Sequence, residues 1–293
     1  MDSVRHLVAA ERAARVALGQ FERTVEVWDL RPVRRIAKFE TVLDFGGRRL
    51  VLSDGGDVLV AAAYHRFGVA AYAADTGMLL WHRRDIKRAQ CLSVSHSSSV
   101  VYVGVERGPC LALSLDDGTQ ARQLRGVRAV VESPYDSLVL LDQTRPIVAV
   151  GSELECLFPV ERTTFAFLAT AFSPTHITIS EAGGSVRCIA LDTGHVAWTY
   201  APPNGVHCLQ LAYSEDLIAF VGVLWSFVKG GEKELVVFDG AGGLHNIIRR
   251  IKGSAEECFC DGNSGLLTSD RTLINLASNH DSALENGTQD VPG

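Results

Sequence analysis

Two cysteines, Cys258 and Cys260, are the residues of this sequence that come closest to metal-binding chemistry. Alternate residues of a strand lie on one face of a sheet, so the two thiols could point the same way. A tetrahedral zinc site needs two further ligands at workable spacing. The nearest ones, His280 and the adjacent His207 and Cys208, complete no motif. Packing of both thiols as small hydrophobes is favoured, and the sequence predicts no metal site and no cofactor.

Motifs for covalent catalysis or phosphate binding are also missing. The sequence has no Gly-x-Ser-x-Gly elbow and no glycine-rich loop that opens a helix. The glycine pairs at 55–56, 183–184 and 242–243 are typical of hairpin turns. The seven cysteines are odd in number and irregularly spaced, which favours buried free thiols over disulfides. We therefore expect no enzymatic activity.

A recurring phrase predicts the elements that must carry any function. A short apolar run ends in Asp and a tight turn, as in 27–30, 71–77, 113–118, 188–194 and 236–240. A degenerate copy puts Gly151 in the Asp position, and a last strand places Ala277 there. These seven units recur with an average step of about 41 residues, the period of a four-stranded propeller blade.

The fold prediction is an all-β, seven-bladed β-propeller of four-stranded antiparallel blades. The third unit, for example, divides into strands 89–95, 100–105, 110–115 and 120–124, and the sixth into 206–213, 217–223, 235–238 and 245–250. The turn after the third strand needs φ > 0, which predicts the roles of Gly77, Gly118 and Gly194. The recurring Asp is predicted to cap that turn through backbone N–H groups.

The seventh unit shows no fourth strand, so the last blade is predicted to be incomplete. A single propeller domain is expected over residues 1–277, followed by a flexible polar tail over 278–293.

The phrase Ile189-Ala190-Leu191-Asp192-Thr193-Gly194, which ends in Trp198, resembles the repeat of the quinoprotein-like propellers. Residues 71–81 are a looser match, and Val27-Trp28-Asp29 is similar to a WD-repeat strand. The resemblance implies a propeller and carries no activity by itself, because propellers host many unrelated functions. Quinoprotein dehydrogenases bind a quinone and calcium, and this sequence shows no matching cluster of carboxylates.

Sorting charges by their place in the blades separates two surfaces. The loops between strands two and three, together with the links from strand four to the next blade, are called the arginine end. The turns between strands one and two and between strands three and four are called the aspartate end. Loops at the arginine end carry the cations Arg23, Arg66, Arg107, Arg145, Lys229, Lys233 and Arg271. The aspartate end holds Asp54, Asp57, Asp136, Glu215, Asp216, Asp261 and the recurring turn carboxylates.

This separation is unexpected in a chain with a net charge of −6. It predicts a disc with one positive and one negative rim, and the positive rim would attract acidic partners. Turn chemistry explains part of the Asp pattern whatever the charge. Acidic residues also dilute the arginine end: Glu22, Glu106, Asp142, Glu181 and Asp270.

The sixth blade has the longest predicted loop between strands two and three, residues 224–232. Trp225 and Phe227 lie in it beside Lys229, and aromatic residues next to cations are typical interface anchors. The alternative is a strand extension that packs both rings on a neighbouring blade.

The favoured function is a non-enzymatic scaffold that binds another protein with an acidic surface. Its predicted binding residues are Arg23, Arg66, Arg107, Arg145, Trp225, Phe227, Lys229 and Arg271. A concrete version is a bacterial immunity protein that neutralises a toxin. The competing class is a quinoprotein-like enzyme or small-molecule binder that uses the central channel. Nucleic-acid binding is disfavoured by the acidic total charge.

The protein is expected to be cytoplasmic and monomeric on its own. No run approaches the roughly 18 apolar residues of a membrane span. The first apolar stretch is interrupted by Glu11, Arg12 and Arg15, which is unlike a secretion signal.

Overall fold

A computed structural model describes most of the chain from residue 4 to residue 284. The described ranges are 4–10, 12–20, 23–43, 50–63, 68–96, 98–132, 138–142, 147–150, 156–159, 169–181, 184–226, 232–238, 245–251, 257–260, 265–268, 271–276 and 281–284. All regular elements in these ranges are β-strands, and each strand pairs antiparallel with its neighbour in four-stranded sheets.

The chain divides into two compact units, residues 1–85 with 255–293 and residues 86–254. The first unit holds three sheets. Sheet 1 consists of β1 (Val4–Ala9), β2 (Arg15–Gln20), β3 (Thr24–Leu30) and β4 (Val33–Glu40). Sheet 2 consists of β5 (Leu50–Leu52), β6 (Val58–Ala62), β7 (Val69–Ala73) and β8 (Leu79–Arg83).

The second unit holds the next four sheets along the chain. Sheet 3 consists of β9 (Ala89–Val94), β10 (Val100–Val105), β11 (Cys110–Ser114) and β12 (Gln120–Leu124). Sheet 4 consists of β13 (Val127–Glu132), β14 (Leu138–Asp142), β15 (Ile147–Val150) and β16 (Cys156–Pro159). Sheet 5 consists of β17 (Thr170–Phe172), β18 (His176–Ser180), β19 (Val186–Ala190) and β20 (Val196–Tyr200).

Sheet 6 of the second unit consists of β21 (Val206–Ser214), β22 (Ala219–Ser226), β23 (Lys233–Phe238) and β24 (His245–Ile251). Sheet 7 returns to the first unit with β25 (Glu257–Cys260), β26 (Gly265–Thr268), β27 (Thr272–Asn275) and β28 (Asp281–Ala283).

Burial explains why these sequences form stacked sheets. The middle strands β6 and β7 are buried on both faces, whereas the fourth strands β12 and β20 are mostly exposed. A middle strand reads as a continuous apolar run when other sheets cover both of its faces. In the first unit β1 contacts both β5 and β25, and in the second unit β17 contacts β21. The core therefore lies between neighbouring sheets.

Sheets 5 and 6 illustrate this packing. Trp198 on β20 stacks on Phe238 with ring centroids 5.6 Å apart, and its edge meets Phe220 at 6.4 Å. Cys188, Val236 and other apolar side chains fill the same cluster. The outermost strand of one sheet thus packs against the middle strands of the next.

The four-stranded antiparallel blade is confirmed by sheets 1, 2, 3, 5 and 6, which are described along all four strands with most of their side chains. The number of seven blades stays a prediction, because most side chains of sheet 4 lie outside the described residues. Predicted strands match closely in sheet 3, where β10 and β12 have the expected bounds. The prediction of an incomplete last blade is wrong, since β28 pairs with β27 inside the segment expected to be a flexible tail.

The turns confirm one prediction and correct another. Gly77, Gly118 and Gly194 have φ of 72°, 70° and 68°, as the turn requires. The side chains that accept a bond from the N–H two residues on belong to Thr76, Asp117 and Thr193. In these turns the capping residue therefore follows the recurring Asp rather than being that Asp.

A second repeated feature lies at the end of the first strand in four sheets. Ser53, Ser95, Ser173 and Ser214 are buried, and each hydroxyl accepts a backbone N–H from the following turn. A buried hydroxyl needs such partners, and it holds the turn between strands one and two in one conformation.

Candidate functional site

Left-handed residues mark the hairpins between the second and third strands. Arg23, Arg107 and Arg271 have φ of 75°, 55° and 68° in the hairpins of sheets 1, 3 and 7. Gly68 and Gly184 have φ of 85° and 90° in those of sheets 2 and 5. The same backbone requirement is therefore met by glycine in two sheets and by arginine in three.

Glycine is obligatory at positions 68 and 184. A Cβ at Gly68 would overlap the carbonyl oxygen of Arg83, and one at Gly184 would overlap that of Val206. The arginines pay a different penalty, since an L-residue in this region costs about 1–2 kcal/mol. Arginine is not among the residues that are enriched in the left-handed region. Compared with glycine, arginine adds a cationic side chain to these hairpins.

The Arg107 side chain is exposed at the tip of the β10–β11 hairpin. The N–H of Gly108 donates to the carbonyl of Val105 at 3.1 Å and closes this turn. Its neighbour Glu106 forms an ion pair with Arg88, Oε2 to Nη1, at 3.7 Å. The acidic residue expected to dilute the arginine end here is thus paired with another arginine.

Arg23 is also exposed, at the start of β3. Its carbonyl oxygen accepts the backbone N–H of Thr41 at 2.9 Å and the hydroxyl of Thr41 at 3.2 Å. The backbone is fixed by these bonds, while the guanidinium stands at the surface of the first unit.

Arg271 differs from the other two arginines. Its Nη2 lies 3.0 Å from Oε2 of Glu26, and its guanidinium lies 6.0 Å from the ring centre of Trp28. Only 24% of its side chain is exposed. Arg271 therefore forms an internal contact between the sheet 7 hairpin and sheet 1, which the sequence did not predict.

Glu26 is the centre of this contact and is only 2% exposed. Its carboxylate accepts hydrogen bonds from Gln20 Nε2 at 3.2 Å and from Trp28 Nε1 at 3.3 Å. Lys38 and Arg35 add ion pairs at 3.4 and 3.7 Å. A buried carboxylate is tolerated when it is paired and hydrogen-bonded in this way. We call these residues and Arg271 the Glu26 cluster, and its partners suit a structural role.

The recurring Asp of the first sheet has a comparable structural task. Asp29 accepts from Arg15 Nε at 2.9 Å, and Arg15 Nη1 donates to the carbonyl of Gly56 at 2.8 Å. Arg34 binds the second carboxylate oxygen of Asp29 at 3.1 Å. These bonds tie sheet 1 to the β5–β6 turn.

The remaining predicted binding residues divide into two groups. Trp225 is half-buried in β22, opposite Lys233 of β23, so it lies in a strand rather than in a loop. Lys233 is buried as well, which is a correction to its place among the surface cations. Arg66, Arg145, Phe227 and Lys229 lie outside the described residues.

The cysteines support a packing role. Cys91, Cys110, Cys188 and Cys208 are buried and carry thiols that form no disulfide. Burial raises the pKa of Cys110 and of Cys208 to about 12, and that of Cys188 to about 11. These thiols stay protonated at neutral pH, where thiolate chemistry needs a lowered pKa. The side chains of Cys258 and Cys260 lie outside the described residues, and the described ones contain no group of three or more possible metal ligands.

Sequence reasoning missed two features. The sequence does not predict the Glu26 cluster, although Trp28 and Asp29 belong to the recurring phrase. Ile218, which is 79% exposed with a φ of 48°, falls inside the predicted strand 217–223. The charged run Glu215-Asp216 was the signal that a turn lies there.

No protein-family model and no curated protein matches the sequence. Several solved structures are similar in fold. The structure of U3-55K aligns with a TM-score of 0.67 at 11% identity, over 92% of this chain and 88% of that one. The C-terminal WD40 domain of Sif2 gives 0.62 at 9% identity, over 92% and 93% of the two chains.

A bacterial structure, BamB from Moraxella catarrhalis, aligns with a TM-score of 0.58 at 12% identity, over 91% of this chain and 82% of that one. Within the described residues, no helix has the length and apolar character needed to cross a membrane. Likeness at these identities establishes the fold and leaves the activity open. The chain is a β-propeller of four-stranded antiparallel blades.

Proposed function

We propose that this protein is a non-enzymatic propeller scaffold that binds a protein with an acidic surface through its arginine end. WD40 propellers among the similar structures support a role in protein interaction. Loops on a rigid scaffold are where binding usually resides. The finer parts of the proposal are a seven-bladed ring, a cytoplasmic monomer before binding, and an immunity-type role against a bacterial toxin.

The observation that carries the proposal is the left-handed arginine in exposed hairpins. Arg107 has φ of 55° in a turn where glycine would be free of this penalty. Strained residues that persist at a surface are typical of binding sites. Arg23 repeats the feature in the first unit with φ of 75°.

Electrostatics supports an acidic partner. The whole chain carries a charge of −6, so a like-charged partner would be repelled except where arginines are concentrated. Glu106 is paired with Arg88, and Glu181 is paired with Arg187. Two of the carboxylates expected to weaken the positive potential are thereby partly neutralised. Arginine also binds carboxylates in bidentate geometry, which adds specificity.

The test is capture of partners from the native host at low and high salt, with charge-reversal variants. Arg107→Glu is compared with Arg122→Glu, because Arg122 is an exposed arginine of the same sheet outside the hairpin. The proposal expects Arg107→Glu to lose the partner and Arg122→Glu to retain it. A partner that is held equally by both variants, or equally at both salt concentrations, would contradict the electrostatic role.

A further inference from the structure

Ile218, in the turn between β21 and β22, combines two unfavourable features. Its side chain is 79% exposed, and its φ is 48°. A β-branched residue in the left-handed region is a genuine outlier, and an exposed apolar side chain gains no burial to offset the strain. The β5–β6 turn meets a similar need with Gly56, at φ of 71°. Ile218 is therefore not the residue that folding of this turn alone would favour.

Val196 is a second exposed hydrophobe, on the neighbouring sheet 5. It is the first residue of β20 and is 49% exposed. The chain runs along β20, passes through the short link 201–205 and returns along β21 to the Ile218 turn. Val196 and Ile218 therefore lie at the same end of sheets 5 and 6, which is the aspartate end.

Buried aromatic rings connect the strands that carry these two positions. Val196 precedes Trp198 by two residues, Ile218 precedes Phe220 by two, and the Trp198 and Phe220 ring centroids are 6.4 Å apart. The rings are buried, so they fix the two strands that carry the exposed hydrophobes. Val196 and Ile218 thus lie at the same end of two sheets that are joined by buried rings.

Exposed carboxylates occur in the turns that carry or precede these two residues. Asp192, Glu215 and Asp216 are exposed in the adjacent turns. Residues 173–175, 191–195 and 215–218, the described turn residues at this end of the two sheets, include no Lys or Arg. We call Val196, Ile218 and these three carboxylates the Ile218 surface.

We propose that the Ile218 surface binds a protein segment that presents an apolar side chain flanked by Lys or Arg. The apolar side chain would cover Ile218 and Val196, and the cations would meet the three carboxylates. Complementary charge favours such a segment over an acidic or purely apolar one. Well-packed apolar anchors surrounded by polar contacts are the usual centre of a protein interface.

This surface is separate from the arginine end. Within sheet 5, Val196 lies at one end of the strands and the Gly184 hairpin lies at the other. The two proposals therefore do not depend on each other, and the same variants distinguish them.

The experiment selects peptides from a random-peptide phage library on the purified full chain, and measures their affinity for variants. Ile218→Gly removes the side chain and relieves the left-handed strain, so the variant should be at least as stable as the wild type. Met78→Ser is the matched control, because Met78 is 62% exposed in a turn of sheet 2. Arg107→Gly reports on the arginine end.

The expected result is enrichment of peptides with an apolar residue between Lys or Arg. Their affinity should fall by about tenfold or more in Ile218→Gly. It should also fall in Asp216→Lys and stay unchanged in Met78→Ser and Arg107→Gly. Four outcomes would overturn the proposal: no enrichment, peptides bound equally by Ile218→Gly, self-association that Ile218→Gly abolishes, or a loss of stability in that variant.

Discussion

Replacement of Arg271 tests whether the Glu26 cluster holds sheet 7 against sheet 1. Arg271→Ala removes the 3.0 Å ion pair to Glu26 and one of the two guanidinium groups near Trp28. Loss of a partner from a fully buried ion pair costs about 3–5 kcal/mol. Glu26 keeps Lys38 and Arg35 at 3.4 and 3.7 Å, and Arg271 is 24% exposed, so the cost should be smaller. We expect a loss of about 2 kcal/mol.

The backbone of Arg271 provides an internal control. Alanine retains the left-handed strain at φ of 68°, whereas glycine relieves it. Arg271→Gly should therefore be more stable than Arg271→Ala by about 1 kcal/mol. The assay is urea unfolding followed by tryptophan fluorescence, together with hydrogen exchange in β26 and β27.

A double-mutant cycle with Glu26→Gln isolates the pair. The coupling energy should be about 1–2 kcal/mol, and it should shrink only partly with salt because the carboxylate is buried. A coupling energy near zero, or protection in β26 and β27 unchanged by Arg271→Ala, would refute this account of the cluster.

Three further predictions concern packing and pH. Gly68→Ala should destabilise the fold by about 3 kcal/mol or more because its Cβ would overlap the Arg83 carbonyl, whereas Gly126→Ala, with φ of 74° and nothing within 4 Å, should cost about 1 kcal/mol in urea unfolding. Similar losses for the two variants would contradict this reasoning. Trp198→Ala should cost about 3–5 kcal/mol, since it empties the contact between sheets 5 and 6, and a thermal midpoint close to that of the wild type would show that the contact is dispensable. Burial raises the pKa of the Cys208 thiol from its usual value near 9 to about 12, so the folded state holds the proton more tightly. The stability from Cys208 should be fully present below pH 9 and decline as the pH rises towards 12. Cys208→Ala should flatten the dependence of the urea midpoint on pH in that window, and an unchanged slope would argue against a buried thiol.

The period of the recurring phrase is sufficient to predict most strands, because middle strands covered on both faces are continuous apolar runs between turn residues. Val100–Val105 and Gln120–Leu124 have the bounds expected from the sequence. The apolar pattern does not predict the strand β28, because Asp281 and Ser282 are polar. This strand is held instead by backbone pairing of Asp281 with Ile274 and by burial of Leu284.

Side-chain roles were harder to predict than strands. Charge sorting assigns Arg271 to a loop but cannot show that Glu26, far away in sequence, is buried beneath it. Turn statistics identify Asp75 and Asp192 as caps, whereas the bonds come from Thr76 and Thr193. The strain at Ile218 depends on a backbone angle that no sequence pattern reveals.

The most direct test of the central claim is the affinity of the captured partner for wild type, Arg107→Gly and Arg122→Gly over a range of salt concentrations. The proposed scaffold function predicts that Arg107→Gly folds at least as stably as the wild type, binds about tenfold more weakly and depends less on salt, while Arg122→Gly binds like the wild type. Equal affinity and equal salt dependence for Arg107→Gly and the wild type would contradict the claim that the exposed, left-handed Arg107 contacts the partner.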